Sequence, residues 1–206
     1  MNIHSDIPDR IETERLIIRA PKEDDIKIIH KAKIENRDIL QPWFFWAQTE
    51  QDFSLDEAKR FIRTQIAEWA IRKNFQMMVF EKETENFVGS TGIHPKNTAI
   101  GRYEIGYWQD KTHHGKGYMT ESSQALLKFA FDHFNAQSVL IRADVRNAKS
   151  RAIPERLGFT LEGVLHASEP CYNGGKPRDM AQYICLDPTA VPDIEYTASF
   201  SSGVKL

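Results

Sequence analysis

The run Asp110-Lys111-Thr112-His113-His114-Gly115-Lys116-Gly117-Tyr118-Met119-Thr120-Glu121 gathers glycines, lysines and histidines into one short stretch. Before it, Tyr103 to Trp108 alternates like a strand, and after it Ser122 to Phe134 has helical spacing. A basic, glycine-bearing turn at a helix start collects unpaired backbone N–H groups at the positive end of the helix dipole. That favours an anion, most simply a phosphate. Two familiar phosphate loops do not fit. A Walker loop has Ser or Thr directly after Gly-Lys, where this chain has Gly117. A dinucleotide fingerprint needs a third glycine, where this chain has Thr120. On these residues alone, a phosphate cradle and an ordinary basic turn are evenly matched. His113-His114 has no Cys, Asp or Glu at ligand spacing, so no metal is expected there.

The elements that must hold this turn follow from the rest of the chain. At 206 residues there is enough sequence for one domain with a good core and a tail. A content of 41% hydrophobic and 27% charged residues, with net charge −2, argues against nonspecific nucleic-acid binding as the main role. No apolar run approaches a membrane span, and the first residues lack the apolar stretch of a signal peptide. Cys171 and Cys185 have no redox or metal spacing and read as free thiols, so a cytoplasmic location is expected.

Arg15 to Ala20 reads as a strand ended by Pro21, and Lys22 to Glu35 as a helix with an acidic first turn. Leu40-Gln41-Pro42-Trp43-Phe44-Phe45-Trp46 is an aromatic loop, either a lid on the core or the wall of a substrate site. Ser54 and Glu57 have the spacing of a capping box at the head of a helix running to about Arg72. Phe75 to Glu81, Phe87 to His94 and Arg102 to Trp108 form a predicted antiparallel meander. The helix ending at Phe134 is followed by a strand, Ser138 to Val145, and a short helix, Asn147 to Leu157, with Pro154 inside it. Two further strands, Phe159 to Leu165 and Met180 to Leu186, complete a β-α-α-β-β-β-α-β-α-β-β order. This is mixed α/β with an antiparallel front half. From Asp187 onward, the prolines and a Ser/Gly ending predict an irregular tail.

That order, with the basic turn between the fourth strand and the third helix, resembles the GNAT superfamily of acetyl-CoA-dependent N-acetyltransferases. The coenzyme loop of that superfamily, Gln/Arg-x-x-Gly-x-Gly/Ala, falls on His114-Gly115-Lys116-Gly117-Tyr118-Met119, with His114 and Met119 departing from the pattern. Glu104-Ile105-Gly106-Tyr107-Trp108, Gly115 to Glu121, Asn147 to Phe159 and Leu161-Glu162-Gly163 are similar to the ribosomal-protein N-terminal acetyltransferase branch. Asn173-Gly174, Asp179 and Tyr183 continue the similarity. It implies a GNAT fold of about seven mostly antiparallel strands, splayed between the fourth and fifth, with about four helices. The domain would span 11–187, after an extension of 1–10 and before a tail of 188–206.

The resemblance also distributes roles. Gly115, Lys116, Gly117, Tyr118, Met119 and Thr120, with His114, would hold the pyrophosphate. Asn147 and the strand at Tyr107 and Trp108 would hold the pantetheine, with a backbone N–H near Tyr107 or Trp108 facing the oxyanion. Glu169 falls where the branch has its base, and Ser150 where it has the hydroxyl that protonates the leaving thiolate. Glu104 is a rival base. Bland readings stand beside these: a solvated loop carboxylate for Glu169, a helix cap for Ser150, a strand-edge charge for Glu104. Tyr172 and Tyr183 are further candidate acids. Trp43, Trp46 and Tyr172 would line the acceptor site.

The reading that follows is direct transfer of acetyl from acetyl-CoA, without metal, to a primary amine, preferably a protein N-terminus, with that of a ribosomal protein among the candidates. An α-amine of pKa about 8 asks less of a base than a lysine near 10.4. A polyamine, amino acid or aminoglycoside is the alternative acceptor. A catalytically idle acyl-CoA-binding module is the alternative of another class. No nucleic-acid or membrane role is expected, and the sequence leaves open a homodimer.

Overall fold

The computed structural model describes residues 6–172 and 175–201, so Asn173 and Gly174 lie outside the described residues. The described residues form one sheet of nine strands in the order β7-β8-β6-β5-β4-β3-β2-β1-β9. The strands are β1 (Arg10–Glu12), β2 (Leu16–Arg19), β3 (Phe75–Glu81), β4 (Phe87–Asn97), β5 (Arg102–Gln109), β6 (Ser138–Asp144), β7 (Thr160–Glu169), β8 (Arg178–Cys185) and β9 (Thr197–Ser199). Every pairing is antiparallel except β5 with β6. The five α-helices are α1 (Asp25–Glu35), α2 (Arg37–Leu40), α3 (Leu55–Ala70), α4 (Tyr118–Phe134) and α5 (Ala148–Arg156).

The GNAT-like mixed sheet expected from the sequence is therefore present, with two strands and one short helix more than the approximate counts. Three-residue strands such as Arg10–Glu12 and Thr197–Ser199 leave too little alternation to be read. The tail, expected to be irregular, contains a strand, because Thr197–Ser199 pairs with β1 in the register Arg10↔Ser199. Ile7 and Val191, from outside the span assigned to the domain, are buried in the same core cluster as Ile11.

The middle strands are buried on both faces. In β3, Phe75, Met77 and Val79 join a core beneath α4, while Met78 and Phe80 join Ile26 and Ile29 of α1 and Ala58 and Ile62 of α3. Successive strand side chains point to opposite faces, so a helix layer is needed on each side. Tyr103 and Ile105 of β5 likewise face the α4 side, and Trp108 the α1/α3 side. That alternation decides which side chains of β5 reach which half of the site.

Capping sets the helix entries. Ser54 Oγ accepts from Glu57 N–H at 3.1 Å at the head of α3. The reciprocal box, however, lies one segment earlier, between Thr49 and Asp52. At the head of α1, Asp25 is 1% exposed and accepts from both Arg19 guanidinium nitrogens at 2.7 Å and from Lys22 N–H at 2.7 Å. Removing one partner of such a pair strands the other charge. Asp25→Ala is expected to destabilise the fold by about 3 kcal/mol in urea denaturation. An unchanged midpoint would mean that Arg19 finds another partner.

Candidate active site

The ladder between β5 and β6 is short. It joins Arg102–Glu104 to Ser138–Leu140 and goes no further. Beyond it β6 stays paired with β8 to Asp144, and β5 stays paired with β4 to Gln109, so the two strands part. Asp110 N–H donates to Val88 O at 2.9 Å, on the β4 side. By the two-residue alternation of a strand, the N–H groups of Gln109, Tyr107 and Ile105 then face the opening. Of the two backbone donors left open by the sequence, the register thus selects Tyr107 over Trp108.

A proline on α5 ties the helix to this opening. Pro154 lacks the N–H that would bond Ser150 O within the helix. The Tyr107 hydroxyl donates to that carbonyl instead, at 2.9 Å. Ser150 Oγ lies 3.4 Å from the same hydroxyl, so Tyr107 and Ser150 form one polar group at the wall of the opening. Burial pushes the Tyr107 phenol strongly up, keeping it protonated. Asn147 caps α5, its Oδ1 accepting from Ser150 N–H at 3.1 Å. Ser150 is therefore not the cap.

The glycine turn lies at the end of β5. Asp110, 7% exposed, accepts from Thr112 N–H at 2.9 Å, from Thr112 Oγ1 at 2.6 Å and from Asn36 Nδ2 at 2.7 Å. Burial opposes its charge, yet the hydrogen bonds from Thr112 and Asn36 hold its pKa below the usual carboxylate value. Asn36 also accepts from Lys111 N–H at 2.7 Å, binding the turn to the end of α1. Gly115 and Gly117 both have φ of 80°, the left-handed region that favours glycine. The first helical bond of α4 is Glu121 N–H to Gly117 O at 3.0 Å, so the N–H groups of Tyr118, Met119 and Thr120 have no helical acceptor.

Side chains hold this helix start from both directions. Glu121 accepts from Arg15 Nε at 2.7 Å and from Thr13 Oγ1 at 2.6 Å, while Arg15 Nη1 donates to Lys116 O at 3.0 Å. Arg156 donates to Thr120 Oγ1 at 3.0 Å. Arg15 and Arg156 escape sequence reasoning because they lie far from the turn in the chain. His113 is buried beside Thr112 and Asp110, while His114 Nε2 lies 3.3 Å from Gln109 O, so the two imidazoles have separate surroundings. Among the described residues, no group of three or more His, Cys, Asp or Glu side chains could hold a metal ion.

One continuous cleft of about 2540 Å³ runs along these parts. Of the residues singled out in the sequence, Tyr107, Trp108, His114, Gly115 and Gly117 line it. So do Met119, Thr120, Asn147, Ser150 and Trp43. The aromatic loop is both wall and lid: Pro42, Trp43 and Phe44 line the cleft, while Trp46 stacks on Phe44 at 4.7 Å and faces Trp108 at 6.3 Å. The Tyr118 ring is buried between Arg15 and the body of the fold, its hydroxyl donating to Glu81, and only its backbone serves the turn. Lys116 projects over the Tyr118 ring, 5.7 Å from its centre.

The carboxylates Glu104 and Glu169 are not among the residues that line this cleft and meet instead at one guanidinium. Arg142, on β6, gives Nε to Glu104 Oε1 at 3.1 Å and holds Nη1 3.6 Å from Glu169 Oε1. One guanidinium therefore links both candidate bases. Glu104 also has Lys96 Nζ 3.0 Å from its Oε2, though without the alignment of a hydrogen bond. A charged residue inside the otherwise apolar Val139-Leu140-Ile141-Arg142-Ala143 run was the signal that could have found Arg142. Tyr172 lies against the Arg178 guanidinium, 4.9 Å away, and Arg178 pairs with Asp144 at 3.4 Å. Tyr183 donates to Glu155 at 2.5 Å and accepts from Arg151 at 2.9 Å, so its hydroxyl is engaged within the fold.

Comparison with known proteins gives this arrangement a family. The model of the acetyltransferase (GNAT) domain matches residues 15–160. The putative ribosomal N-acetyltransferase YdaF of Bacillus subtilis (strain 168) is 30% identical over 84% of this chain and 92% of its own. The ribosomal-protein-serine acetyltransferase of Escherichia coli (strain K12) is 27% identical over 76% of this chain and 86% of its own. RimL, a ribosomal L7/L12 alpha-N-protein acetyltransferase solved with coenzyme A, shares the fold at a TM-score of 0.77 and 24% identity. The match covers 84% of this chain and 95% of RimL. The chain belongs to the GNAT family and is an acetyl-CoA-dependent N-acetyltransferase.

The turn makes a prediction that separates space from backbone strain. A Cβ at Gly117 would meet only Arg15 Nη2, at an ordinary 3.5 Å, so the obstacle to substitution is the positive φ and not crowding. Gly117→Val should raise the coenzyme Kd at least about 10-fold, because a β-branched residue resists that φ. Gly117→Asn, which tolerates it, should stay nearer the parent. Equal Kd values for parent and Val variant in calorimetric titration would remove the turn from the coenzyme site.

Proposed function

We propose that this enzyme acetylates a protein N-terminal α-amine, of the kind a ribosomal protein presents. The observation that carries the reading is the parting of β5 from β6 beside the Gly115–Gly117 turn, just past Glu104, the last paired residue of β5, which Arg142 links to Glu169. The names of YdaF and the Escherichia coli relative support the acceptor class.

The residues suit the coenzyme. The edge of β5 at Ile105, Tyr107 and Gln109 offers strand-type hydrogen bonds to the pantetheine amides. The free N–H groups at the start of α4, with Lys116 beside them, suit a pyrophosphate. When bound, acetyl-CoA supplies the activated acyl carbonyl. The Tyr107 N–H then stabilises the negative charge growing on its oxygen, a kind of contact worth about 3 kcal/mol where one donor has been removed.

Two groups handle protons in this reading. Ser150, backed by the high-pKa Tyr107 hydroxyl, gives a proton to the departing thiolate. Glu169 takes part in freeing the amine nitrogen, the base that the resemblance assigns. Its side chain is 31% exposed, against 13% for Glu104, and so meets an incoming ammonium first. Glu104, held by Arg142 and near Lys96, keeps the Arg142 guanidinium in place between the two carboxylates.

Release of free thiol from acetyl-CoA, followed with peptides bearing free or blocked N-termini, tests the acceptor. Turnover should require the free α-amine. Equal turnover of an N-terminally blocked, lysine-containing peptide would overturn the assignment. Glu169→Gln should lower kcat by about 10²-fold, the lower end of general-base effects, while leaving the coenzyme Kd unchanged. A rate close to the parent's would remove Glu169 from proton transfer.

A further inference from the structure

β4 and β5 carry facing glycines, Gly92 and Gly106, and one imidazole lies over both. A Cβ on Gly92 would lie 3.1 Å from His94 Cε1, and a Cβ on Gly106 would lie 3.1 Å from His94 Nε2. Those contacts are tighter than side chains ordinarily make, so the two bare backbones form a slot that the ring fills. Gly106 is two residues past the last β5/β6 pair, at Glu104, so His94 Nε2 lies over β5 where the strands have parted.

The other ring nitrogen is fixed. His94 Nδ1 lies 2.6 Å from Asn74 Oδ1, and Asn74 Nδ2 donates to Gln65 Oε1 at 2.9 Å. An amide whose nitrogen donates to Gln65 presents its oxygen to the histidine. Nδ1 therefore carries the proton, and Nε2 keeps a lone pair. Glu104 lies directly across the ladder from His94. Glu104 and Glu169 are both tied to Arg142, whereas among the described residues no hydrogen-bonding partner engages Nε2.

We infer that His94 is a proton acceptor for the amine substrate, with Asn74 and Gln65 as positioning residues that set its tautomer. This rests on the acceptor reading above. As the amine nitrogen forms its bond to the acyl carbon, the C–S bond breaks and the sulfur keeps that electron pair. Of the two protons that an ammonium must lose, one leaves through Glu169 to solvent and the other passes to His94 Nε2, while the departing sulfur takes the Ser150 hydroxyl proton, which solvent restores. Loss of solvent lowers the His94 pKa from its ordinary value, opposed by Glu104 and Glu68 and assisted by Lys96, and Arg142 stands behind Glu104. The ring is then neutral at pH 7 and able to accept. Glu104 stabilises the imidazolium once formed.

The test uses the full chain with acetyl-CoA and an N-terminal peptide. His94→Gln should lower kcat about 10²-fold without changing the coenzyme Kd. It should also abolish a loss of rate on the acid side, below the ordinary imidazole range, which Glu169→Gln should retain. Asn74→Ala should lower kcat less and move that limb of the pH profile. Nitrogen NMR of the parent should show His94 as the Nδ1–H tautomer. An Nε2–H tautomer, or a His94→Gln enzyme with the parent's rate and pH profile, overturns the role of His94 and leaves the acceptor reading intact. No turnover by the parent on any amine overturns both.

Discussion

The structure depends on a break in backbone pairing. A strand inside a sheet ordinarily spends its N–H and C=O groups on both neighbours, and leaving one row unspent costs free energy unless water or a ligand takes it up. β5 is paired on both sides only as far as Glu104. Past that point its β4 side remains closed and its β6 side is offered to whatever enters. The parting is held by strands that stay paired on their far sides. β6 is locked to β8 through Asp144, and the Tyr107 hydroxyl anchors α5 through a carbonyl that Pro154 leaves without a helical donor. A proline that weakens its own helix is here part of the wedge keeping two strands apart.

The helix that follows makes sense only with that edge in place. A helix start is attractive to anions through its free N–H groups, but it has to be aimed. Aim comes from side chains far away in the chain: Arg15 grips Glu121 and the Lys116 carbonyl, Arg156 grips Thr120, and Asn36 grips Asp110. These contacts tie the turn to β2, α5 and α1 at once. The edge of β5 and the start of α4 therefore keep one fixed relation, as a ligand spanning both requires.

Much of this was legible in the sequence because it rests on local rules. Gly115 and Gly117 announce their turn, Phe75 to Glu81 its buried strand, and Ser54 its helix, each through residues close together in the chain. The coenzyme side of the cleft could be drawn for that reason. What could not be drawn depends on register and on distant partners. Nothing local distinguishes Tyr107 N–H from Trp108 N–H until the bond from Asp110 to Val88 sets the phase of the strand. Nothing places Arg142 between Glu104 and Glu169, or ties Tyr183 to Glu155 and Arg151, until the sheet order is known. The tail strand was hidden for a simpler reason, since Thr197-Ala198-Ser199 carries no apolar pattern and is a strand only because β1 lies beside it.

The alternation of β5 then gives the two ends of the reaction different surroundings. Tyr107 points its side chain toward α5 and Ser150, on the face where α4 begins. Glu104 and Trp108 point to the other face, where α1, α3 and the aromatic loop lie. Gly106, which has the same orientation, leaves its space to His94. The Tyr107 backbone N–H lies between the two faces, in the plane of the sheet. In the mechanism proposed above, a leaving sulfur on the α5 side meets hydroxyls that can give a proton, and an amine arriving from the other side meets an imidazole and carboxylates that can take one. The separation needs no moving part, because a period of two residues places donor and acceptor groups on opposite sides of one strand.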